Sequence, residues 1–489
     1  DGVLQTLSVE SQGFHDWLAF HAFNKYNLPL RDDVAKQVKQ LISANCRFGQ
    51  KEESKIFMRV GECAGTYYLD LGRPDWSVVC IKKGGWEILT ESPIPMHRTS
   101  AMQALPLPTK TSLKDAIKTI KKLWAFVNVT DEPSQHLLLA ASLEDLRCDT
   151  DYILRQFSGT EGSGKSEATI KIRSLIDPVA CGLKGAIKDR ESLYIAGYNN
   201  HILTLNNLSN ITPDMQDTLC EMATGGGYSK RTNYTDKGES VVQVKCPVIW
   251  NGIPEMNLQG DVIDRMISFE LKRITVVSER KNLDASWEKE HPDLLGALLT
   301  IFSESLRVLP TIKLKETPRM VSYAMLGSAM YKSLGLDPEQ FGEDFKQNKK
   351  RALLSAIEGS PAAYALLKYV QDLRDRGQTE WYGSLGALFS LLTEQRRLTQ
   401  GWPTSVKGLS NILRKSETGL KLIGIDIERD STSKKDGYYL RIKWQPNSKK
   451  PKKAKPATLK KTNDTRDLLK LMSGLKRSSL EAELEVAIN

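Results

Sequence analysis

The sequence predicts an α/β protein whose parallel central sheet is flanked by smaller folded parts. Between about residues 150 and 275, apolar segments alternate with helical patterns, and YILRQFSG, HILTLNN, KCPVIWNG and MISFELK have the character of strands. Such alternation is typical of a parallel sheet. The first strand runs into a glycine-rich loop and then into the helical stretch KSEATIKIRSLI. The length of 489 residues, with 40% hydrophobic and 26% charged residues, suits a globular chain of about three domains.

The flanking parts have patterns of their own. RDDVAKQVKQLISANCRF has helical periodicity, and two later stretches predict hairpins, one of them turning at Gly84 and Gly85. Thr111 and Ser112 are a helix start signal. We therefore predict an N-terminal α+β domain, a helical connector, the α/β core, a helical lid, a winged-helix-like domain and a basic linker with a short C-terminal helix, over residues 1–108, 109–150, 151–275, 276–378, 379–445 and 446–489.

The block that starts at WYGSLGALFSLL predicts three helices followed by two strands, which is the order of a winged helix. After it, seven lysines and no acid lie between residues 446 and 461, and without them the net charge of +10 would fall to +3. The folded bulk is therefore close to neutral. A basic tail of this kind is as typical of a solvated linker as of nucleic-acid binding.

Several classes of protein are disfavoured by composition. No apolar run approaches the ~20 residues of a membrane helix. The seven cysteines are dispersed without C-x-x-C pairs, which predicts a reduced, intracellular protein without a zinc site. The start DGVLQTLSVE has neither an initiator Met nor the apolar region of a signal peptide, and we interpret it as an internal start.

The segment FSGTEGSGKS contains the pattern G-x-x-x-x-G-K-S of a phosphate-binding loop. Its glycines let backbone N–H groups approach phosphate oxygens, and the following helix directs its positive end at the anion. We expect Lys165 to reach the β- and γ-phosphates of ATP and the Ser166 hydroxyl to coordinate Mg²⁺. The residues expected to bind ATP are Gly159, Gly162, Ser163, Gly164, Lys165 and Ser166.

The strand that should end in an acid ends in two amides, Asn206 and Asn207, the first of them 41 residues beyond Lys165. An Asn oxygen accepts a hydrogen bond from metal-bound water, but it does not neutralise Mg²⁺ or draw a proton from water as a carboxylate does. Magnesium handling at Asn206 and ATP turnover are therefore in question. The explanations are an engineered substitution that traps the nucleotide state, a degenerate natural ATPase, or a carboxylate from elsewhere; we favour an engineered or attenuated site. The candidate carboxylates are Glu161, Asp214 and Asp217.

A glycine-rich segment, ATGGGYSKRTNYTDKGESVVQV, carries Lys230 and Arg231 in a hairpin-like pattern. Taken alone, it is more typical of a surface hairpin with solvated charges. Next, CPVIWNG delivers Asn251 to the end of a strand, where an amide can contact the γ-phosphate or the attacking water. The following Arg265 is a candidate arginine finger for a neighbouring subunit; the alternative is a salt bridge with one of the nearby acids, Asp261 or Asp264.

The order of these motifs, GxxxxGKS, strand-NN, TGGGYSKR, strand-N and DR, resembles that of superfamily 3 helicases, which are AAA+ ring ATPases of small viruses, phages and plasmids. It is most similar to phage-type primase-helicase ATPases, and the resemblance is specific for residues 152–273. It implies that Lys230 and Arg231 lie in a hairpin that lines a ring pore and holds single-stranded DNA. It further implies that Asn251 is sensor 1 and that Arg265 is the arginine finger. Relatives carry Asp at the position of Asn206.

These observations together favour a homo-hexameric, ATP-driven DNA helicase or translocase that replicates a phage or mobile element in the bacterial cytoplasm, with ATP and Mg²⁺ as cofactors and no membrane partner. The winged helix would contact duplex DNA, although protein contacts are nearly as typical of that fold. The alternatives are a non-hydrolysing, ATP-dependent DNA clamp or initiator and a defence or signalling ATPase. The expected duplex-binding cations are Lys407, Arg414, Lys415, Lys434 and Lys435.

Overall fold

The computed structural model describes residues 6–49, 54–185, 187, 189–208, 211–231, 239–252, 258–275, 280–394, 402–430 and 438–444. By packing, the chain divides into one unit over residues 1–444 and a second over residues 445–489. The predicted basic linker and C-terminal helix fall in the second unit, outside the described residues.

The N-terminal part contains the predicted helix over Asp32–Phe48, an earlier helix that the sequence analysis did not predict, and a sheet that is antiparallel except for one pair of strands. The strands pair in the order β5-β4-β3-β2-β1-β6, with β1 and β6 parallel. Gly84 closes the β4–β5 turn with φ 82°, a conformation that favours glycine. The elements are α1 (Gln12–Tyr26), α2 (Asp32–Phe48), β1 (Phe57–Met58), β2 (Val60–Cys63), β3 (Thr66–Asp70), β4 (Val78–Lys82), β5 (Gly85–Leu89) and β6 (Met96–His97).

Three helices connect this part to the core: α3 (Leu113–Ile120), α4 (Trp124–Val127) and α5 (Glu132–Glu144). The predicted start signal is confirmed, because the Ser112 side chain caps α3 by accepting a hydrogen bond from the Asp115 backbone N–H. Helix α5 is almost entirely buried, and the Tyr323 hydroxyl donates to its Leu137 carbonyl at 2.8 Å. The connector is therefore part of the core rather than a free linker.

The core sheet has the strand order β12-β7-β11-β8, and all three pairings are parallel. All four predicted strands are present, and every residue of β7 and β11 is buried, as in a sheet covered on both faces. Lys184 forms a further parallel bridge to Leu205 beside β8. The elements are β7 (Leu154–Ser158), α6 (Lys165–Ser174), α7 (Arg190–Tyr198), β8 (Leu203–Leu208), α8 (Pro213–Thr224), β9 (Gly226–Arg231), β10 (Glu239–Val244), β11 (Val248–Gly252), α9 (Gly260–Ile263) and β12 (Met266–Glu270).

The next part is helical, as predicted, with α10 (Arg280–Val308), α11 (Val321–Ser333), α12 (Pro338–Glu358) and α13 (Pro361–Asp375). Among the described residues, the stretch Lys281–Thr311 is long and apolar enough to cross a membrane, but 72% of its apolar window is buried inside the fold. A buried core helix of a water-exposed domain has the same composition.

The last described part contains β13 (Glu380–Ser384), α14 (Leu385–Glu394), α15 (Val406–Leu422), β14 (Ile425–Arg429) and β15 (Tyr439–Trp444), with the sheet order β13-β15-β14. The prediction of three helices is wrong for the described residues: the block starts with a strand, and two helices, α14 and α15, lie between this strand and β14. Trp381 and Tyr382 lie in β13 and pair with Ile442 and Arg441 of β15. The partner strand lies some 60 residues away in sequence, which local periodicity does not reveal.

Candidate phosphate-loop site

The loop between β7 and α6 has the backbone that the glycine pattern predicts. Gly159, Gly162 and Gly164 all have positive φ, at 144°, 74° and 82°. A Cβ at Gly159 would collide with the Leu271 carbonyl and the Ser163 hydroxyl, so only glycine fits there. Gly164 is the N-cap of α6 and has no side chain to cap it. The first backbone N–H groups of α6 are therefore open to an anion.

Lys165 folds back over this loop. Its ammonium donates to the Gly159 carbonyl at 2.6 Å and to the Thr160 carbonyl at 2.8 Å. Partial burial lowers the pKa of Lys165, against the opposing effect of the Glu161 charge. A bound phosphate would offer this cation a charged acceptor in place of two neutral carbonyls.

Ser166 and Asn206, the two residues expected to handle Mg²⁺, lie next to each other. The Ser166 hydroxyl donates to Asn206 Oδ1 at 3.2 Å across the gap between α6 and β8. Both are neutral oxygen ligands, and no group of three His, Cys, Asp or Glu side chains suited to a metal exists among the described residues. Ser166 and Asn206 fit a Mg²⁺ ion that keeps most of its waters and is held mainly by substrate phosphates. They do not fit an all-protein metal cage.

Asn251 is fully buried at the end of β11 and links β8 to α6. Its Oδ1 accepts from the Asn207 backbone N–H at 2.9 Å, and its Nδ2 donates to the Thr169 hydroxyl at 3.3 Å. Asn207 itself has φ 53°. Because β11 lies between β7 and β8, the Asn251 side chain stands behind the junction of the loop helix and the strand that bears Asn206.

One residue that contacts the phosphate loop lies outside all of the sequence motifs. The Asn128 side-chain amide donates to the Ser163 carbonyl at 2.9 Å and to the Lys272 carbonyl at 2.8 Å. It thereby ties the phosphate loop to the segment after β12, and Ile274 N–H adds a bond to the Gly162 carbonyl at 3.1 Å. The only local signal is an Asn in the left-handed conformation, φ 52°, after α4.

None of the three alternative carboxylates, all in the described part of the chain, makes a hydrogen bond or ion pair with Ser166 or Asn206. Asp214 is in the first turn of α8 within 4.0 Å of Arg190, and Asp217 is exposed on the same helix. Glu161 is exposed in the loop, and its charge opposes the lowering of the Lys165 pKa.

Arg265 directly precedes β12 and lies at the end of the sheet opposite to the phosphate loop, because its carbonyl accepts a hydrogen bond from the Leu154 N–H at the start of β7. The five residues of β7 put about 13 Å of strand between it and the loop of the same chain. Its guanidinium forms a salt bridge with the Asp261 carboxylate and donates to the Asp261 carbonyl at 3.1 Å. The hydrogen bond from Arg265 holds the pKa of Asp261 below its ordinary value. Arg319 shares this carboxylate at 3.5 Å.

The expected DNA-binding residues lie in two places. Strands β9 and β10 form the predicted hairpin, with Lys230 opposite Ser240 and Arg231 opposite Glu239; the side chains of Lys230 and Arg231, like the turn, are outside the described part.

On α15, Lys407, Arg414 and Lys415 are exposed, and Lys415 lies at a cleft toward Gly260. The wing residues Lys434 and Lys435 fall outside the described residues.

Fold and site together define a mixed α/β protein whose parallel sheet carries a phosphate-loop sequence at its carboxyl edge. Residues 120–338 match the family of the actinomycete integrative conjugative element replication protein, and residues 362–460 match the C-terminal domain of the same replication protein. The two matches together span well over half of the chain, and the chain belongs to this family of replication proteins.

Two solved structures match most of this chain at low similarity. The structure titled "SCCmec type IV Cch - active helicase" has 13% sequence identity and a TM-score of 0.44, over 87% of this chain and 86% of that one. The apo C-terminal region of NrS-1 has 12% identity and a TM-score of 0.32, over 86% of this chain and 92% of that one. No protein of curated function matches the chain.

Proposed function

We propose that this replication protein is an ATP-driven DNA helicase or translocase that serves replication of a mobile element as a homo-hexamer. The observation that carries the proposal is the phosphate loop at Gly159–Gly164. Its positive-φ glycines, the uncapped start of α6 and the adjacent Lys165 form an anion site at the carboxyl edge of a parallel sheet. A replication protein acts on DNA, so we expect it to work in the cytoplasm of its host.

The strand order supports an AAA+ core of the superfamily 3 kind. Strand β11 lies between β7 and β8 and brings Asn251 behind Asn206 and the loop helix. We propose that Asn251 acts there as a sensor amide that responds to the γ-phosphate or to the attacking water.

Assembly into a ring would explain why Arg265 lies far from the phosphate loop of its own chain. It lies too far along the sheet to reach the phosphate loop of its own chain, but it lies near a surface formed by α9 and Arg319. In a ring, this surface of one subunit would face the neighbour's ATP, and Arg265 would leave Asp261 to stabilise the transferred phosphate. The hairpin of β9 and β10 would carry Lys230 and Arg231 to the DNA strand, with sequence-independent, salt-sensitive contacts.

A second candidate function is a non-hydrolysing, ATP-dependent clamp or initiator. The observation that favours it is the neutral Ser166–Asn206 pair, which would bind Mg²⁺-ATP without supplying a base for the water. Measured ATP turnover in the presence of single-stranded DNA separates the two functions.

Both candidate functions require that the phosphate loop binds ATP, and Lys165→Ala tests this requirement. Removing the cation of the loop should abolish ATP binding, measured by titration calorimetry with a slowly hydrolysed ATP analogue. Lys118→Ala, on the exposed face of α3, is the control and should bind as the parent does. Equal ATP affinity in Lys165→Ala and the parent would refute the phosphate-loop assignment.

A further inference from the structure

The two N-terminal helices have almost nothing packed against them. No residue of α1 is buried, and Ala35 is the one buried residue of α2. On α1, Trp17 is 47%, Phe20 63% and Phe23 54% exposed. A helix with so many large apolar side chains in water is normally covered by another surface.

Helix α2 carries a seam for a second helix. Val34, Val38, Leu41, Asn45 and Phe48 follow one another at spacings of four, three, four and three residues, which is the a/d pattern of a coiled coil. Leu41 is 63% and Phe48 87% exposed. The charged residues of the helix all lie off this seam, at Asp32, Asp33, Lys36, Lys39 and Arg47.

The residue types at the seam positions point to an identical helix as the partner of α2. Val38 and Asn45 occupy the a positions, whereas Val34, Leu41 and Phe48 occupy the d positions. A β-branched residue at a with Leu at d favours two parallel strands, and a single Asn at a fixes register and oligomeric state. An Asn amide in such a seam is best satisfied by the same amide of an identical helix, because each supplies both a donor and an acceptor.

We propose that α2 pairs in parallel with α2 of a second copy of this chain, independently of nucleotide. A helix of 17 residues is short for a coiled coil on its own, and the exposed aromatic side chains of α1 add to its apolar surface. At about 200 Å² per aromatic side chain, the exposed parts of five aromatic side chains sum to roughly 600 Å²; these are Trp17, Phe20, Phe23, Tyr26 and Phe48. Leu28, Val34 and Leu41, which are also exposed, bring the area near the ~800 Å² per partner of a standard interface.

The first experiment measures the mass of the full chain by sedimentation velocity without nucleotide. The double variant Leu41→Ser with Phe48→Ser should weaken self-association about 100-fold or more, since each side chain is lost from both copies. Ile88→Ser with Leu107→Ser, exposed at 40% and 47% elsewhere, is the control and should leave it unchanged. Lys165→Ala should also pair normally, so a failed phosphate-loop assignment would not affect this outcome.

The second experiment tests the register with a cysteine. Asn45→Cys in a Cys46→Ser background should form a disulfide between two copies under mild oxidation, because identical a positions face each other. The parent retains the exposed Cys46, one residue off the seam, and should not cross-link. A chain that sediments as a monomer at all concentrations, or self-association that leaves Asn45→Cys unlinked, would overturn the proposal.

Discussion

In the proposed ATPase, Asn206 would occupy the position at which a carboxylate promotes hydrolysis of bound ATP. Its Oδ1 already accepts a hydrogen bond from the Ser166 hydroxyl, so a carboxylate of the same shape would reach the same place. The Glu161 charge acts on Lys165, and Asp214 lies within 4.0 Å of Arg190; neither of these described side chains contacts Asn206. In the proposed ATPase, the charge at residue 206 would therefore be decisive.

We expect Asn206→Asp to raise DNA-stimulated ATP turnover roughly 100-fold, because one positioned charge or base commonly contributes this much. ATP affinity should change far less. The measurement is steady-state phosphate release with saturating single-stranded DNA.

Asn199→Asp is the matched control for that prediction. Asn199 is exposed directly after α7, outside the site, and its replacement should leave turnover unchanged. If Asn206→Asp leaves turnover unchanged or lowers it, another acid already serves the reaction or the site does not belong to this class of ATPase.

At the scale of elements, the β9–β10 hairpin is the part expected to move along DNA. Its backbone pairing aligns Lys230 and Arg231 on the outgoing strand next to the turn. In a hexamer the two residues would form a belt of about twelve cations around one strand, and their effects would multiply.

We expect Lys230→Ala with Arg231→Ala to cause a large loss of single-strand affinity and to flatten its dependence on salt. Fluorescence anisotropy over a range of salt concentrations measures both quantities. The control replaces Lys452 and Lys453 of the basic tail by alanine. An equal loss in the two double variants would remove the pore assignment and the translocase mechanism with it.

Helix α15 both packs against the protein core and carries exposed cations, and a sequence pattern does not separate these two features. Its far end packs on α12, with Gly419 against Ile357 and Leu353, whereas Lys407 and Arg414 are exposed. Deleting the C-terminal part would therefore expose apolar core as well as remove cations. Point variants are the cleaner test of duplex binding.

Lys407→Ala with Arg414→Ala should weaken duplex DNA binding several-fold, because two phosphate contacts are lost. Single-strand-stimulated ATPase should persist. The control, Arg376→Ala with Lys421→Ala, removes two other cations of the same part of the chain and should leave duplex binding intact. Equal effects of the two double variants would indicate that this part serves protein contacts.

Across the whole molecule, a buried ion network joins the N-terminal sheet to the core. Arg59 and Asp177 are both buried, with Arg59 Nε 3.0 Å from Asp177 Oδ1. Arg173 and the Ile202 backbone N–H contact the other carboxylate oxygen at 3.3 and 3.1 Å. The carboxylate thus holds two guanidinium groups from different parts of the fold.

Asp177→Ala should lower the free energy of unfolding by about 3–5 kcal/mol, because it leaves buried cations unpaired. Glu87→Ala, in the exposed pair with Lys82, is the control and should cost less than about 1 kcal/mol. Urea unfolding followed by circular dichroism measures both. Equal costs would contradict the role of the network.

The destabilisation caused by Asp177→Ala should depend on pH, because it reflects the ionisation of the Asp177 carboxylate. Burial alone would raise the pKa of Asp177, but Arg59 and Arg173 together hold it below its ordinary value. A lowered pKa in the folded state stabilises the fold above the unfolded-state pKa, near 4, and this contribution disappears as pH falls through the folded-state pKa. The cost of Asp177→Ala should therefore be constant from neutral pH to about pH 4 and shrink below it.

The sequence by itself determined the local elements and the loop chemistry. The four core strands, the cap at Ser112, the turn at Gly84 and the glycines of the phosphate loop depend on apolar periodicity, side-chain caps and positive φ, which are properties of neighbouring residues. For the same reason the pattern placed Lys165 and Ser166 at the start of a helix.

Only the tertiary structure decided which distant residues meet. The insertion of β11 between β7 and β8 brought Asn251 to Asn207 and Thr169, and the end of β12 brought Lys272 to Asn128. Trp381 became part of a strand because β15 supplied its hydrogen-bond partner. These contacts join residues far apart in sequence, and their free energy comes from pairing and burial that exist only once the chain has folded.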